Sequence, residues 1–340
     1  MSGFGDIIGH RRTIGVLRNA MRQGKVAHAY LFAGPPGIGK YTVARTFAAA
    51  LNCQTLPDDA CGVCPSCRKF AAGNHPDFVA VTRRDDKTVI VIEQIREVIH
   101  SAQYAPFEGK FKVYLIDGAE QLNTEAANAL LKTLEEPNAR TVFVLVTPAS
   151  HLLLPTVVSR CQTLRFGLLE DSQIRAWLDQ QGEWPPEDAA LLARLAEGSI
   201  GRATALDLDF IRGPRLSLFQ DLAAAAPDDA AAAVLLGDRL SAAAPDLRDG
   251  LELLAGFVRD ALIWRISGDA ERVRNRDALE AIQRYAARLP LAALGAKIRS
   301  LVQARRLIER NVNKSAIVGG LCLDLIATAP TSFAEGRLPR

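Results

Sequence analysis

An α/β domain built on a largely parallel sheet, followed by an all-helical remainder, is the fold class the sequence predicts. Three observations carry it. Short apolar runs alternate with amphipathic segments through residues 1–165, one of those runs opens directly into a glycine-rich turn, and strand signals stop near Phe166.

The clearest strands are Ala29–Ala33, Val89–Ile92, Val113–Ile116 and Val142–Thr147, each short, apolar and flanked by turn or helix signals, as buried parallel strands are. Between the last two, Thr124–Leu134 sets Ala127, Leu130, Leu131 and Leu134 on one helical face, and Glu135-Glu136-Pro137 closes it. Past Phe166, Glu170–Leu178 reads as a helix. Pro185-Pro186-Glu187 opens a second, with proline tolerated in a first turn, and Gly198 ends it. Asp209–Pro214 reads as a linker. The alanine-rich stretch Ala223–Ala244, broken at Pro227-Asp228-Asp229, reads as ordinary helix made of strong helix formers. Leu251, Leu254, Val258 and Leu262, then Leu291, Leu294, Ile298, Leu301 and Ile308, recur at helical spacing as packing faces of a bundle. Arg305, Arg306 and Arg310 read as a solvated helix face. These breaks divide the chain into an α/β domain (1–165), a small helical domain (166–208) and a larger helical one (209–340).

With 340 residues, 49% hydrophobic and 23% charged, the chain is a folded protein of two or three domains, and wholesale disorder is excluded. Its 41 Lys and Arg against 38 Asp and Glu leave +3, too small an excess to hold nucleic acid by bulk charge, so any DNA contact is local or shared with partners. No stretch reaches the roughly 18 apolar residues of a membrane span, and the N-terminus carries no signal-like apolar core. A soluble, cytoplasmic protein is expected.

After the strand Ala29–Ala33 comes Gly34-Pro-Pro-Gly37-Ile-Gly39-Lys40, the G-x-x-x-x-G-K core of a phosphate-binding loop at a helix start. Glycines let backbone N–H groups approach an anion, the helix N-terminus adds positive potential, and Lys40 reaches the β/γ-phosphates. Tyr41 follows, where an NTPase places the Ser or Thr that coordinates Mg²⁺. A phenol is too long for that task, and Thr42, one position late on the helix, is expected to point elsewhere. The matching acidic strand, Val113-Tyr-Leu-Ile-Asp117, is followed by Gly118 in place of a carboxylate that polarises water. Glu120 reads as a solvated or helix-capping carboxylate. The site keeps the parts that cradle a nucleotide and lacks those that hold Mg²⁺ and activate water; these residues leave ATP binding open and disfavour Mg²⁺.

Of the six cysteines, Cys53, Cys61, Cys64 and Cys67 fall within fifteen residues. That spacing suits a closed tetrahedral Zn²⁺ site; reduced structural thiols or a redox C-x-x-C pair are the competing readings. His75, followed by Pro76-Asp77, is a further ligand candidate and reads instead as a turn residue. Cys322 reads as a core thiol. Arg160, in Ser159-Arg160-Cys161, is either a surface charge or a finger for a neighbour's γ-phosphate.

Taken in order, His28-Ala-Tyr-Leu-Phe-Ala-Gly34 running into the phosphate loop, the four-cysteine insert, Asn128-Ala-Leu-Leu-Lys-Thr-Leu-Glu-Glu-Pro137 and Ser159-Arg-Cys161 resemble the AAA+ clamp-loader subunits of bacterial DNA polymerase III. The resemblance covers essentially the whole chain. It implies an AAA+ module made of the α/β domain (1–165, with the zinc insert at 53–67) and a helical lid (166–208), then a collar domain (209–340) that oligomerises with sister subunits. It assigns Gly34, Gly37, Gly39 and Lys40 to the phosphate loop, Asp117 to the metal side and Arg160 to a finger acting in trans. Arg202 resembles the lid arginine that contacts γ-phosphate in active members, with a surface arginine at a helix start as the equal alternative. Thr147 lies where a polar sensor residue is expected, and Pro148 beside it argues against that role.

Two branches of the family compete, an ATP-hydrolysing gamma/tau type and a delta-prime type. Tyr41, Gly118, Asn74-His75-Pro76-Asp77 and the stop at Arg340, where a tau-like chain would continue, favour the delta-prime type. The implied role is a largely non-hydrolysing ring member with structural zinc and no ATPase activity of its own, part of the polymerase holoenzyme. Its implied partners are gamma/tau and delta subunits, with the sliding clamp and primed DNA reached through the complex. A gamma/tau-like motor is the alternative, and an adaptor outside replication, such as a helicase loader, the third reading.

Overall fold

The computed structural model describes residues 3–84, 87–243, 247–309 and 313–329, so Arg310 lies outside the described residues. The chain divides into two compact units, Met1–Ala205 and Leu206–Arg340.

The first unit runs α1 (Arg11–Arg22), β1 (Ala29–Ala33), α2 (Lys40–Leu51), α3 (Pro65–Ala72), β2 (Phe78–Val81), α4 (Ile92–Ala102) and β3 (Lys112–Asp117). It continues through α5 (Thr124–Glu135), β4 (Thr141–Thr147), α6 (Pro155–Val158), β5 (Gln162–Arg165), α7 (Asp171–Gln181), α8 (Pro186–Leu195) and α9 (Ile200–Ala205). The strands form one sheet in the order β2-β3-β4-β1-β5, with every pairing parallel. Alternate residues of β1 enter opposite cores: Tyr30 and Phe32 pack with Phe47 of α2, while Leu31 packs in the layer of Ile95 and Leu130. Burial on both faces is why these strands read as unbroken apolar runs. The register sets the C-terminal ends of β1, β3 and β4 side by side, with Ala33 opposite Thr147 and Asp117 opposite Val146.

The expected strand Val89–Ile92 does not form. Ile90 makes an isolated bridge to Leu122, Val91 caps α4 and Ile92 begins it. The apolar run is the entry to a helix that buries Ile95, Val98 and Ala102 at a period of three to four, and that period outweighs four β-branched residues in a row. Two strands were not expected, β2 and β5, both at sheet edges; β5 buries only Leu164 and carries Gln162, Thr163 and Arg165 to the surface. β5 thus lacks the apolar run that marks central strands, whereas β2, Phe78-Val-Ala-Val81, is an apolar run of only four residues that is partly exposed at the sheet edge.

α7 to α9 belong to the first unit. Glu197 and Gly198 take left-handed backbone conformations after α8 and turn the chain into α9. Asp209–Pro214 is no linker: Asp207 caps a helix α10 (Leu208–Arg212), and α11 (Pro214–Ala224) follows at once.

The second unit continues with α12 (Ala230–Ala243), α13 (Leu247–Ser267), α14 (Leu279–Ala287), α15 (Leu291–Glu309) and α16 (Lys314–Ile326), without a strand among the described residues. Leu251, Leu254, Val258, Leu294, Leu301 and Ile308 enter its core as their spacing predicts, whereas Leu291, first residue of α15, is 47% exposed. Cys322 is buried, and burial pushes its thiol up to about 12. Arg305 and Arg306 are exposed, and Arg305 Nη1 lies 2.8 Å from Glu252 Oε1. Among the described residues no helix is long and apolar enough to cross a membrane.

Candidate functional site

β1 ends at Ala33, and the glycine-rich loop turns over the sheet edge with Gly37 at φ +70° and Gly39 at φ +95°, where a side chain would be strained. The loop carbonyls from Gly34 to Ile38 are all engaged. Lys40 Nζ donates to Gly34 O and Pro35 O, each at 2.6 Å. Ser199 Oγ donates to Pro36 O at 3.1 Å, and the Gly201 N–H to Gly37 O at 2.8 Å. His10 Nε2–H donates to Ile38 O at 2.7 Å. Among the described residues no backbone carbonyl takes the N–H of Gly37, Ile38 or Gly39. A loop with its carbonyls tied and its N–H groups available at a helix N-terminus is a receptor for anions. A Cβ on Gly201 would sit 2.9 Å from Gly37 Cα, so glycine on both sides lets α9 approach the loop this closely.

Asp117 ends β3, and Gly118, left-handed at φ +76°, starts a tight turn over Ala119–Gln121. That turn brings Glu120 back over the sheet edge, where Thr147 Oγ1 donates to Glu120 Oε2 at 2.8 Å and accepts the Ala149 N–H at 3.0 Å. Glu120 is therefore neither solvated nor a helix cap: it is half-buried in the site. Burial lowers the Lys40 ammonium below the ordinary lysine range, opposed by Asp117 and then Glu120, and burial raises the Asp117 carboxyl, opposed by Lys40. These groups border a cavity of about 760 Å³ whose apolar lining includes Ile7, Ile8, Trp177 and Ile200. Tyr41 and Thr42 both line it. The Arg202 guanidinium pairs with Glu197 at 3.0 Å, and the lining includes Ile200 and Gly201 but not Arg202.

Arg160 follows α6. Its Nη1 donates to Thr156 O at 2.8 Å, its Nη2 pairs with Glu135 at the end of α5, and about a third of the side chain is exposed. It does not line the cavity. The Cys161 thiol beside it is pushed up to about 11 by burial.

The four cysteine sulfurs of Cys53, Cys61, Cys64 and Cys67 lie within 4.8 Å of one another, with Cys61 Sγ and Cys67 Sγ at 3.9 Å. Four thiolates at Zn–S distances of about 2.3 Å would stand roughly 3.8 Å apart, so small shifts convert this set into a tetrahedral site. Backbone N–H groups aim at the sulfurs: Leu56 at Cys53, Cys64 at Cys61 and Cys67 at Cys64, at 3.3, 3.3 and 3.4 Å. N–H groups of Cys64 and Val63 pull the Cys61 thiol down to about 6, and burial pushes Cys67 up to about 12. His75 opens a turn, its carbonyl accepting the Phe78 N–H at 3.1 Å, and is not a member of this set. It is buried, stacks on Phe70, bonds Ser66 Oγ through Nε2 at 3.1 Å and accepts the Asp77 N–H at Nδ1 at 3.2 Å. Asp77, fully buried, accepts the N–H groups of Phe107, Glu108 and Gly109 at 2.6, 2.9 and 2.7 Å, which ties this segment to the loop before β3.

Sequence reasoning missed Glu120, His10, Ser199 and Trp177 as parts of the nucleotide-like site. Ser199 and Gly201 stand in the Gly198-Ser-Ile-Gly-Arg202 run, whose signals in the sequence are a helix end at Gly198 and an arginine at 202; His10 and Trp177 carry no local signal.

A family model described as "DNA polymerase III, delta subunit" matches residues 9–170, and one described as "DNA polymerase III, delta subunit, C terminal" matches residues 214–323. The chain is 38% identical to DNA polymerase III subunit tau of Escherichia coli over 209 residues, 60% of this chain and 32% of that protein. It thus spans about a third of the tau subunits it matches. It is 29% identical to DNA polymerase III subunit delta' of Bacillus subtilis over 321 residues, 92% of this chain and 95% of that one. A solved DNA polymerase III gamma subunit-related protein of Thermotoga maritima superposes with a TM-score of 0.45 at 17% identity, covering 92% of this chain and 98% of its own. One delta-subunit model falls within each compact unit and a delta' relative aligns across nearly the whole length, and on these grounds the chain belongs to the family of delta'-like clamp-loader subunits of DNA polymerase III.

Proposed function

We propose that this chain is a delta-prime ring member that does not hydrolyse ATP, carries a structural zinc ion on Cys53, Cys61, Cys64 and Cys67, and lends Arg160 to the ATP site of an adjacent gamma/tau subunit. Its partners are gamma/tau and delta subunits, and through them the sliding clamp and primed DNA in the cytoplasm. The observation that carries this reading is the separation of the two halves of an ATPase. Arg160 is braced by Glu135 and Thr156 away from the chain's own cavity. That cavity has Tyr41 in place of a metal-binding hydroxyl and Gly118 in place of a water-polarising carboxylate. A braced guanidinium delivered to a neighbour's γ-phosphate stabilises charge as it develops in the transition state, typically worth about 10³ to 10⁵ in rate.

The test is a reconstituted complex with gamma/tau and delta. With Arg160→Ala the complex assembles and loses most of its DNA-stimulated ATP turnover; undiminished turnover removes the finger. Identity of 38% to tau over 209 residues favours a second reading, a gamma/tau-like motor. Turnover of Mg-ATP by the isolated chain, abolished in Lys40→Ala, marks that reading.

A further inference from the structure

We propose that the cavity at the phosphate loop takes a nucleoside diphosphate in preference to the triphosphate, and that Glu120 sets this preference. The inference rests on reading the cavity as a nucleotide site that has lost hydrolysis. Its anion receptor is complete: the loop N–H groups of Gly37, Ile38 and Gly39 are not taken by backbone carbonyls, and Lys40 is fixed by Gly34 O and Pro35 O beside them. Ile7, Ile8, Trp177 and Ile200 supply apolar surface from the N-terminal segment and the lid, which suits a base and not a bare phosphate.

The charge balance is what departs from a triphosphate site. The charged lining residues are Lys40 and Arg83 against Asp6, Asp117 and Glu120, one more negative than positive. Asp117 and Glu120 are the two carboxylates that act on the Lys40 ammonium. A loop lysine of this kind reaches the β- and γ-phosphates, so those carboxylates face the same terminal phosphates. In a metal-dependent site a Mg²⁺ held by the loop hydroxyl stands between acid and phosphate and cancels their repulsion. Tyr41 cannot hold that ion. Glu120, moreover, is not free to retreat, because Thr147 Oγ1 holds it at 2.8 Å on the sheet edge. A γ-phosphate then meets an unscreened carboxylate, whereas a diphosphate ends one phosphate short of it and carries less charge.

The experiment titrates the purified full-length chain and its Glu120→Gln variant with ADP and with ATP, each with Mg²⁺ and with EDTA, by calorimetry and by intrinsic tryptophan fluorescence. Gln keeps the shape and the oxygen that Thr147 bonds. The wild type binds ADP about tenfold or more tightly than ATP, with little dependence on Mg²⁺, and Glu120→Gln raises ATP affinity by about tenfold while ADP affinity stays within about twofold. Equal or tighter ATP binding by the wild type overturns the preference, and an unchanged ADP/ATP ratio in Glu120→Gln overturns the role of Glu120. No binding of either nucleotide by either protein overturns the nucleotide-site reading beneath both, and leaves the trans role of Arg160 to its own assay.

Discussion

Asp77 illustrates how much one carboxylate holds in place. Burial alone would push its carboxyl up, but the N–H groups of Phe107, Glu108 and Gly109 outweigh that and hold it below the usual carboxylate range. Asp77→Ala leaves those amides without an acceptor, and the expected loss is about 2–4 kcal/mol of unfolding free energy, with faster amide exchange at residues 107–109. A depressed carboxyl stabilises fully above its unfolded value, about 3.9, and that stability is lost as pH falls through the lower folded value. Exchange protection at residues 107–109 should therefore weaken only as pH drops below about 4, and Asp77→Asn should flatten that dependence. At this scale the sequence is legible where a residue occupies a fixed place in a motif: Tyr41 and Gly118 stand out as departures. Glu120 does not, because its entry into the site depends on the left-handed turn at Gly118, and a turn of that kind leaves no periodic trace.

The four-cysteine insert is the element whose clustering is most legible in the sequence, since two successive C-x-x-C spacings keep three of the four thiols within a turn or two of chain. Its anchoring was not legible. His75 and Asp77 bind it to the rest of the unit through contacts with Ser66 and with the loop at 107–109, which are distant in sequence. Protein purified without chelator should contain about one zinc ion per chain by elemental analysis, and well under one would remove the assignment. Removing the metal should increase exchange at residues 53–72 while the far-UV helical signal of the second unit persists, because metal binding is coupled to folding only where the ligands are. Strands followed the same logic. The central β1, β3 and β4 are buried on both faces and read clearly; the edge strands β2 and β5 are half-exposed and did not, and the apolar run at Val89–Ile92 mimicked a strand while beginning a helix.

For the whole molecule, the balance of 41 basic and 38 acidic residues has a measurable consequence. Affinity for DNA phosphates comes from cations free to displace counterions, and a chain near neutrality supplies few of them. The one basic face the sequence suggested is reduced further, because Arg305 is paired with Glu252 on α13. The isolated chain should then bind primed DNA no more tightly than the non-specific range, Kd about 10⁻⁴ to 10⁻⁶ M near physiological salt, measured by fluorescence anisotropy. Tight binding with a steep salt dependence should appear only after gamma/tau and delta subunits are added, since several subunits then contribute phosphate contacts at once. Nanomolar binding by the chain alone would mean that a local site on one of the two units suffices, and would move DNA recognition from the assembled ring to this subunit.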